Sequence, residues 1–335
     1  MERDETAITD VPGVRVGQVD RHDDGWLTGV TVVVPPPGTV GGVDVRGGGP
    51  GTHETDALDP RTLVPTVDAV VLTGGSAYGL VTAHGVQRWC AEQGLGFPVG
   101  PGPGEVVPIV PAAAVFDLGR GGVFANHPTE QMGYDAAAAA VGGPVVTGVV
   151  GAGTGAVVGR RWKGGVGTAS LRLPAPDDGI VVGALAVVNA AGLPLFAGAT
   201  GAAPTGAAGP ALNTTLVVVA TDADLDPAET SRTATAAHDG LARALDPAHT
   251  LADGDTVFAL ATGARPLRGP GRAARVAALV ALQQAAAEVV RRAVLDGVLA
   301  ARDTPTPAGL IERFRAPRVG VEPEPGQDRD MGRTS

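Results

Sequence analysis

VVGALAVVN (181–189) and TLVVVATD (215–222) are too apolar for strands with one wet face. Such runs occur where a sheet is covered on both sides. Upstream, TGVTVVV (28–34) reads as a buried strand ended by PPPG (35–38). DAVVLTGGS (68–76) reads as a strand and glycine turn leading into a helix over about 77–93, with Val81, Val86 and Trp89 apolar. YDAAAAA (134–140) reads as a short helix. Downstream, Asp226-Pro227-Ala228-Glu229 is a helix start: Asp caps, Pro suits the first turn, and Glu completes a capping box. That helix is expected to reach about Leu245. DTVFALATG (255–263) is another buried strand. Residues 272–302 read as a long helix with Val276, Leu279, Val280, Val290, Val294 and Val298 on its apolar stripe. No fixed repeat or linker interrupts this pattern. One α/β domain over residues 1–317, with helices covering a central pair of sheets, is expected. The first seven residues are expected to fray, and residues 318–335 to be a disordered tail.

Composition narrows the function. The 335 residues carry 25 Lys and Arg against 35 Asp and Glu, a net charge of −10. That is the wrong sign for a nucleic-acid partner, and 3% aromatics leave little for base stacking. The single cysteine, Cys90, allows neither an internal disulfide nor a cysteine-based zinc site. MERDETAITD at the start is charged and has no apolar signal core, so a cytoplasmic location is expected. Two uncharged stretches, 136–159 and 179–221, are rich in Gly, Ala, Pro and Thr and read as buried strands and loops, with no membrane partner.

Several motifs come close to known chemistry. GGSAYG (74–79) nearly spells a nucleophile elbow around Ser76, but Tyr78 stands where the last small residue belongs. The plain reading is a tight strand-to-helix turn. GAGTGAVVG (151–159) resembles a phosphate loop, yet Ala156 breaks the dinucleotide pattern and no G-K-[ST] follows. It remains a loop whose N–H groups could line a site. His53-Glu54-x-Asp56 is the nearest approach to a metal motif, and the six histidines show no His-x-x-x-His pair; no metal is expected. His238, inside the capped helix, reads as structural or surface. At Asn213-Thr214-Thr215 the flexible GAAPTGAAGPAL (201–212) runs into an apolar strand. That junction would present Thr214 at the strand's first position; its plain reading is an ordinary loop-to-strand join.

Ordered blocks over about residues 8–300 resemble the DmpA-type L-aminopeptidase/D-esterase family, which includes β-peptidyl aminopeptidases and nylon-oligomer hydrolases. The blocks are ITDVPGVRVG (8–17), RGGGPGTHETD (46–56), VLTGGSAYGL (71–80), GAGTGAVVG (151–159), GGVGTASL (164–171), ALNTTLVVVATD (211–222), ETSRTATAAHDGLARAL (229–245) and ADGDTVFALATG (252–263). The resemblance implies a four-layer α-β-β-α sandwich like that of N-terminal-nucleophile hydrolases. It also implies self-cleavage at Asn213–Thr214, giving associated chains 1–213 and 214–335. The NTT form is nearer to the nylon-hydrolase side than to members with a serine nucleophile.

The chemistry suits that implication. A threonine hydroxyl needs a base. Cleavage would free the Thr214 α-amine, whose reference pKa of roughly 7.7–8.0 lets it take the hydroxyl proton. The β-branch restricts χ1 and keeps the hydroxyl aimed. By resemblance, Asn189 supplies an amide to the oxyanion, and Asp253 and Asp255 orient the nucleophile and its amine. Without the family, the DGD of 253–255 reads as a turn. The lysine that follows the glycine loop in nylon hydrolases aligns with Arg160, which cannot shuttle protons; Lys163, three residues on, is expected to fill that space. Where some members carry a Tyr in an IYDL-like segment, this chain has VFDL with Phe116. A phenol donor is lost, so either the oxyanion site or the substrate differs. Tyr78 is a further candidate to line the site.

The expected protein is thus a self-processing N-terminal-threonine aminopeptidase or amidase for small peptides or amides. It needs no cofactor and forms a homo-oligomer, by resemblance a tetramer. Hydrolysis of ω-amino-acid (nylon) oligomers, acyl transfer of the ornithine acetyltransferase type, and an inactive binding member are the alternatives.

Overall fold

The computed structural model describes residues 6–102, 104–175, 177, 179–196, 213–267 and 271–315. The expected tail (318–335) and the Gly/Ala/Pro segment at 201–212 lie outside the described residues. The principal elements are β1 (Arg15–Arg21), β2 (Thr28–Val34), β3 (Val40–Val45), β4 (Thr52–His53), β5 (Val70–Thr73), α1 (Ser76–Gly79), α2 (Thr82–Glu92), β6 (Ala112–Ala114), α3 (Glu130–Ala138), β7 (Gly165–Arg172), β8 (Val181–Asn189), β9 (Thr214–Ala223), α4 (Pro227–Ala242), β10 (Thr256–Arg265) and α5 (Arg272–Ala300).

Two five-stranded sheets form, in the orders β1-β2-β5-β6-β4 and β7-β8-β9-β10-β3. Neighbours are antiparallel except β5–β6 and β9–β10. Three apolar layers separate four layers of structure. Between the sheets lie Val33, Leu72, Leu185, Val187, Leu216, Val218 and Phe258. Val182, Ala184, Val217 and Val219, on the opposite face of the second sheet, pack with Leu241 of α4 and Leu282, Val290 and Val294 of α5. Val30, Val32 and Val71 of the first sheet pack with Val86 and Trp89 of α2 and Met132 of α3. The molecule is therefore an α-β-β-α sandwich. Every residue of β8 and β9 is buried, as their two-sided apolar character requires.

Helix α4 begins as the sequence predicts. Asp226 accepts from the Glu229 N–H at 2.8 Å, and Glu229 accepts from the Asp226 N–H at 3.1 Å. Three expectations change. The helix expected over 77–93 is broken into α1 and α2, because the Leu80 and Val81 N–H groups bond three residues back, to Ala77 and Tyr78, in a tighter turn. The short helix of the alanine run starts four residues earlier, where the Thr129 hydroxyl accepts from the Met132 N–H at 3.3 Å. The stripe of α5 is also corrected: Val276 and Val280 are exposed, and Ala278, Leu282, Ala285, Ala286 and Val289 face inward instead. By length and composition α5 could cross a bilayer, but here it covers the second sheet.

Small residues carry the α5 contact because helix and sheet approach closely. A Cβ on Gly167 of β7 would stand 2.1 Å from both Ala293 O and Gly297 N. Neither backbone can yield cheaply. Gly167→Ala should therefore destabilise the fold by about 1–3 kcal/mol, read as a lowered melting temperature in calorimetry. Gly142→Ala, whose Cβ would meet only Val14 O at 3.9 Å, should melt like the parent; equal melting of the two variants would refute the close approach.

Candidate active site

Strand β8 ends and β9 begins at one edge of the inter-sheet space, with Asn189 and Thr214 opposite each other in antiparallel register. Side chains alternate along a strand, and directly opposed residues share a face. Leu185, Val187, Leu216 and Val218 face the other sheet, so Asn189 and Thr214 do too. Both are buried.

Asn213, the residue before Thr214, is held at both its N–H and its carbonyl. Asn213 N donates to Ala252 O at 3.1 Å, and Asn213 O accepts from the Gly254 N–H at 2.8 Å. The Thr214 hydroxyl donates to the same carbonyl oxygen at 2.6 Å. Residue 254 must be small here, because a Cβ would lie 2.6 Å from Thr214 Oγ1 and 2.9 Å from Gly49 O. The hydroxyl thus lies against the carbonyl of its own preceding bond, and a backbone donor is already on that oxygen.

Asp253 and Asp255 flank Gly254. Asp255 Oδ1 accepts from the Thr215 N–H at 2.7 Å. Its Oδ2 accepts from His249 N at 3.1 Å and stands 2.8 Å from His249 Nδ1. Asp253 Oδ2 accepts from the Thr250 N–H at 2.7 Å, and burial pushes its carboxyl up. Among the described hydrogen bonds, neither carboxylate reaches the Thr214 hydroxyl; both hold the turn that presents Gly254. His249 packs edge-on against His238, 4.8 Å between ring centroids. His238 is fully buried, with Nε2 2.9 Å from Asp44 O, and burial lowers its pKa to about 4.

A second group of charged side chains, Lys163 and Asp117 buried and Arg120 partly so, lies behind Asn189. Asn189 Oδ1 accepts from Arg120 Nη1 at 2.6 Å and from the Val157 N–H at 3.0 Å; its Nδ2 donates to Phe116 O at 3.4 Å. Arg120 also donates to Gly155 O, within the glycine loop. Lys163, the only lysine among 25 basic residues, is fully buried. Its Nζ donates to Gly153 O, Ala156 O and Gly164 O at 2.9, 2.7 and 2.9 Å. Burial, then the nearby Arg120, push its pKa well below that of an ordinary lysine, while Asp117 opposes them. Asp117 accepts from the Gly75 N–H at 2.6 Å, and burial raises its pKa.

The remaining candidates stand further out. Arg160 is exposed on a left-handed turn, φ 57°. Tyr78 is exposed and stacks on His127. Phe116 enters through its backbone oxygen. Ser76 has a left-handed φ of 52°, and among the described residues no base bonds its hydroxyl. No group of three potential metal ligands occurs among the described residues. Sequence reading missed Arg120, Asp117, Gly254 and His249. Asp117 follows Phe116 directly, Arg120 comes four residues after it, and Gly254 is the centre of the DGD turn, but no spacing rule marks them.

Peptidase family S58 matches residues 6–311. The chain belongs to this family. A relative from Mycobacterium tuberculosis, named an uncharacterized aminopeptidase, is 50% identical over 88% of this chain and 94% of its own length. The 6-aminohexanoate-oligomer endohydrolase of a Kocuria species is 30% identical over 87% and 86%. The β-aminopeptidase structure from a Burkholderia species superposes with a TM-score of 0.74 at 27% identity, covering 93% of this chain and 92% of that one. An L-aminopeptidase D-Ala-esterase/amidase from Ochrobactrum anthropi, described as a variant of the Ntn hydrolase fold, shares the fold at 24% identity, with a TM-score of 0.73 and coverage of 94% and 92%. As an S58 member, the protein is a hydrolase of peptide or other amide bonds with a DmpA-like sandwich.

One lysine makes its titration readable without assignment. Protein labelled with 13C-lysine should show a single folded-state Cε signal, titrating well below the ordinary value of roughly 10.4. Replacing Arg120 by Met should raise that pKa, because a neighbouring cation is removed. An ordinary value in the parent would refute the buried setting.

Proposed function

We propose that this S58 hydrolase cuts itself between Asn213 and Thr214 and then uses the new N-terminal threonine to hydrolyse amides of small peptides. The observation that carries the reading is the 2.6 Å bond from Thr214 Oγ1 to Asn213 O, on an oxygen that also accepts from Gly254. In self-cleavage Oγ1 attacks the Asn213 carbonyl carbon, and the Gly254 N–H stabilises the oxyanion. Collapse breaks the C–N bond, leaving an ester on Oγ1 and a free Thr214 α-amine that has gained a proton. Water hydrolyses the ester, leaving Asn213 as a carboxylate. In turnover the amine accepts the hydroxyl proton as Oγ1 attacks a substrate amide and passes it to the leaving amine; water then hydrolyses the ester on Oγ1, releasing the acid and restoring the hydroxyl. Asn189 Nδ2 donates to the oxyanion, the Lys163 ammonium adds positive potential behind it, and Asp255 fixes the strand start through Thr215 N.

The relative named an oligomer endohydrolase favours a second reading, in which the cleaved amides join ω-amino acids. Resemblance to the DmpA-type family extends the proposal to a homo-oligomer, a tetramer; exposed Val276, Val280 and Phe124 offer apolar surface for it.

The purified protein should give two masses, chains 1–213 and 214–335, and Thr214→Ala should give one chain without activity. Splitting of pure Thr214→Ala at the same bond would assign the cut to another protease and end the proposal. Asp255→Asn can keep one acceptor for Thr215 N, but its Nδ2 would face His249 N–H. Turnover of that variant should fall at least about tenfold, as for loss of a charge-assisted bond, with melting unchanged. Unaltered kcat would reduce the Asp253–Asp255 segment to a plain turn.

A further inference from the structure

Arg120 is a partly buried cation with an unusual set of acceptors. Its Nη1 donates to Gly155 O and to Asn189 Oδ1, and it makes no ion pair among the described residues. The nearest opposing charge, Asp117, acts at longer range, and burial pulls the guanidinium down to about 10, so it stays charged at neutral pH. Burying a cation without a carboxylate on it is costly. A side chain needed only to fill this space would not require charge.

What the charge does is set by Asn189. Two donors, Arg120 Nη1 at 2.6 Å and Val157 N at 3.0 Å, converge on one atom of its carboxamide. Only the oxygen can accept both, so chemistry fixes which way the amide faces. Nδ2 is thereby turned away from Arg120, with one long bond of 3.4 Å to Phe116 O. Asn189 stands opposite Thr214 on the shared inner face. The flipped amide would present oxygen to a developing oxyanion and repel it. Donation from a guanidinium into Oδ1 also draws electrons from the amide and strengthens its N–H as a donor.

We propose that Arg120 is a positioning residue: it locks the Asn189 carboxamide with Nδ2 toward Thr214 and polarises it as the oxyanion donor in hydrolysis. The proposal rests on Thr214 being the nucleophile. It also gives Phe116 a place, since the oxyanion site that lacks a phenol is completed by an amide held from behind.

A double-mutant cycle of Arg120→Met and Asn189→Ala, with a short-peptide anilide as substrate, tests it. Each single change should lower kcat about 100-fold, as for loss of an oxyanion donor, and move KM less than about threefold. The double variant should be no slower than the worse single one. Losses that multiply would overturn the proposal, because a merely structural Arg120 acts independently of Asn189. If Arg120→Met does not fold, Arg120→Lys carries the same cycle with a smaller loss. Nuclear magnetic resonance supplies an arm that needs no turnover. The chain has three asparagines, Asn126, Asn189 and Asn213, so the Asn189 side-chain amide is assigned by its loss in Asn189→Ala. It should shift in the Arg120 variants, and an unmoved signal would overturn the proposal. Absence of turnover in the parent, with a shifted amide signal, would sink the functional reading and leave the Arg120–Asn189 lock standing.

Discussion

The register between β8 and β9 governs the site. Thr221 pairs with Val182 at one end and Thr214 with Asn189 at the other. A slip of one residue would turn Thr214 toward α5 and Leu216 out of the inter-sheet core. Burial of β8 and β9 on both faces makes that slip costly in both cores at once. The parallel pairing of β9 with β10 then fixes the turn before β10, so Gly254 N reaches Asn213 O. Hydrophobic packing thus places one carbonyl oxygen within hydrogen-bond distance of both a hydroxyl and an N–H.

Electrostatics is concentrated behind this edge. Lys163 and Asp117 are buried and Arg120 is partly buried around the glycine loop, and two cations share one acid. Backbone carbonyls do the work of counter-ions: three accept from Lys163 and one from Arg120. The glycines allow it. At Gly155 a Cβ would stand 2.4 Å from Leu27 O and 2.5 Å from Asp117 Cβ, so any side chain would push the loop off the charged cluster. In a chain that uses arginine everywhere else, lysine at 163 fits a narrow slot where a compact ammonium meets three carbonyls.

Much of the frame was legible in the residues. Strands at 28–34 and 181–189 appear with the expected bounds, because unbroken apolar runs between turn residues have few other solutions. The start of α4 was legible because capping is local chemistry. The start of β9 at Thr214 followed from a Gly/Ala/Pro-rich stretch of sequence meeting an apolar run. The inward face of α5 was not legible: alanines carry it, and hydropathy ranks them below the valines that remain exposed. Nor was the break between α1 and α2, which depends on a three-residue hydrogen-bond choice.

The sequence by itself determined an α/β domain with helices over paired sheets, the strand that begins at Thr214 and the strand that ends at Asn189, because periodicity and capping are written in neighbouring residues, and its ordered motifs carried the resemblance to the DmpA-type family that implied the sandwich. Only the tertiary structure decided that Arg120, some seventy residues before Asn189, holds its amide oxygen, that Lys163 is buried and Arg160 is not, and that Gly254 N–H lies on the Asn213 carbonyl. These contacts join segments far apart in the chain, and they form only after two sheets have packed and chosen one register.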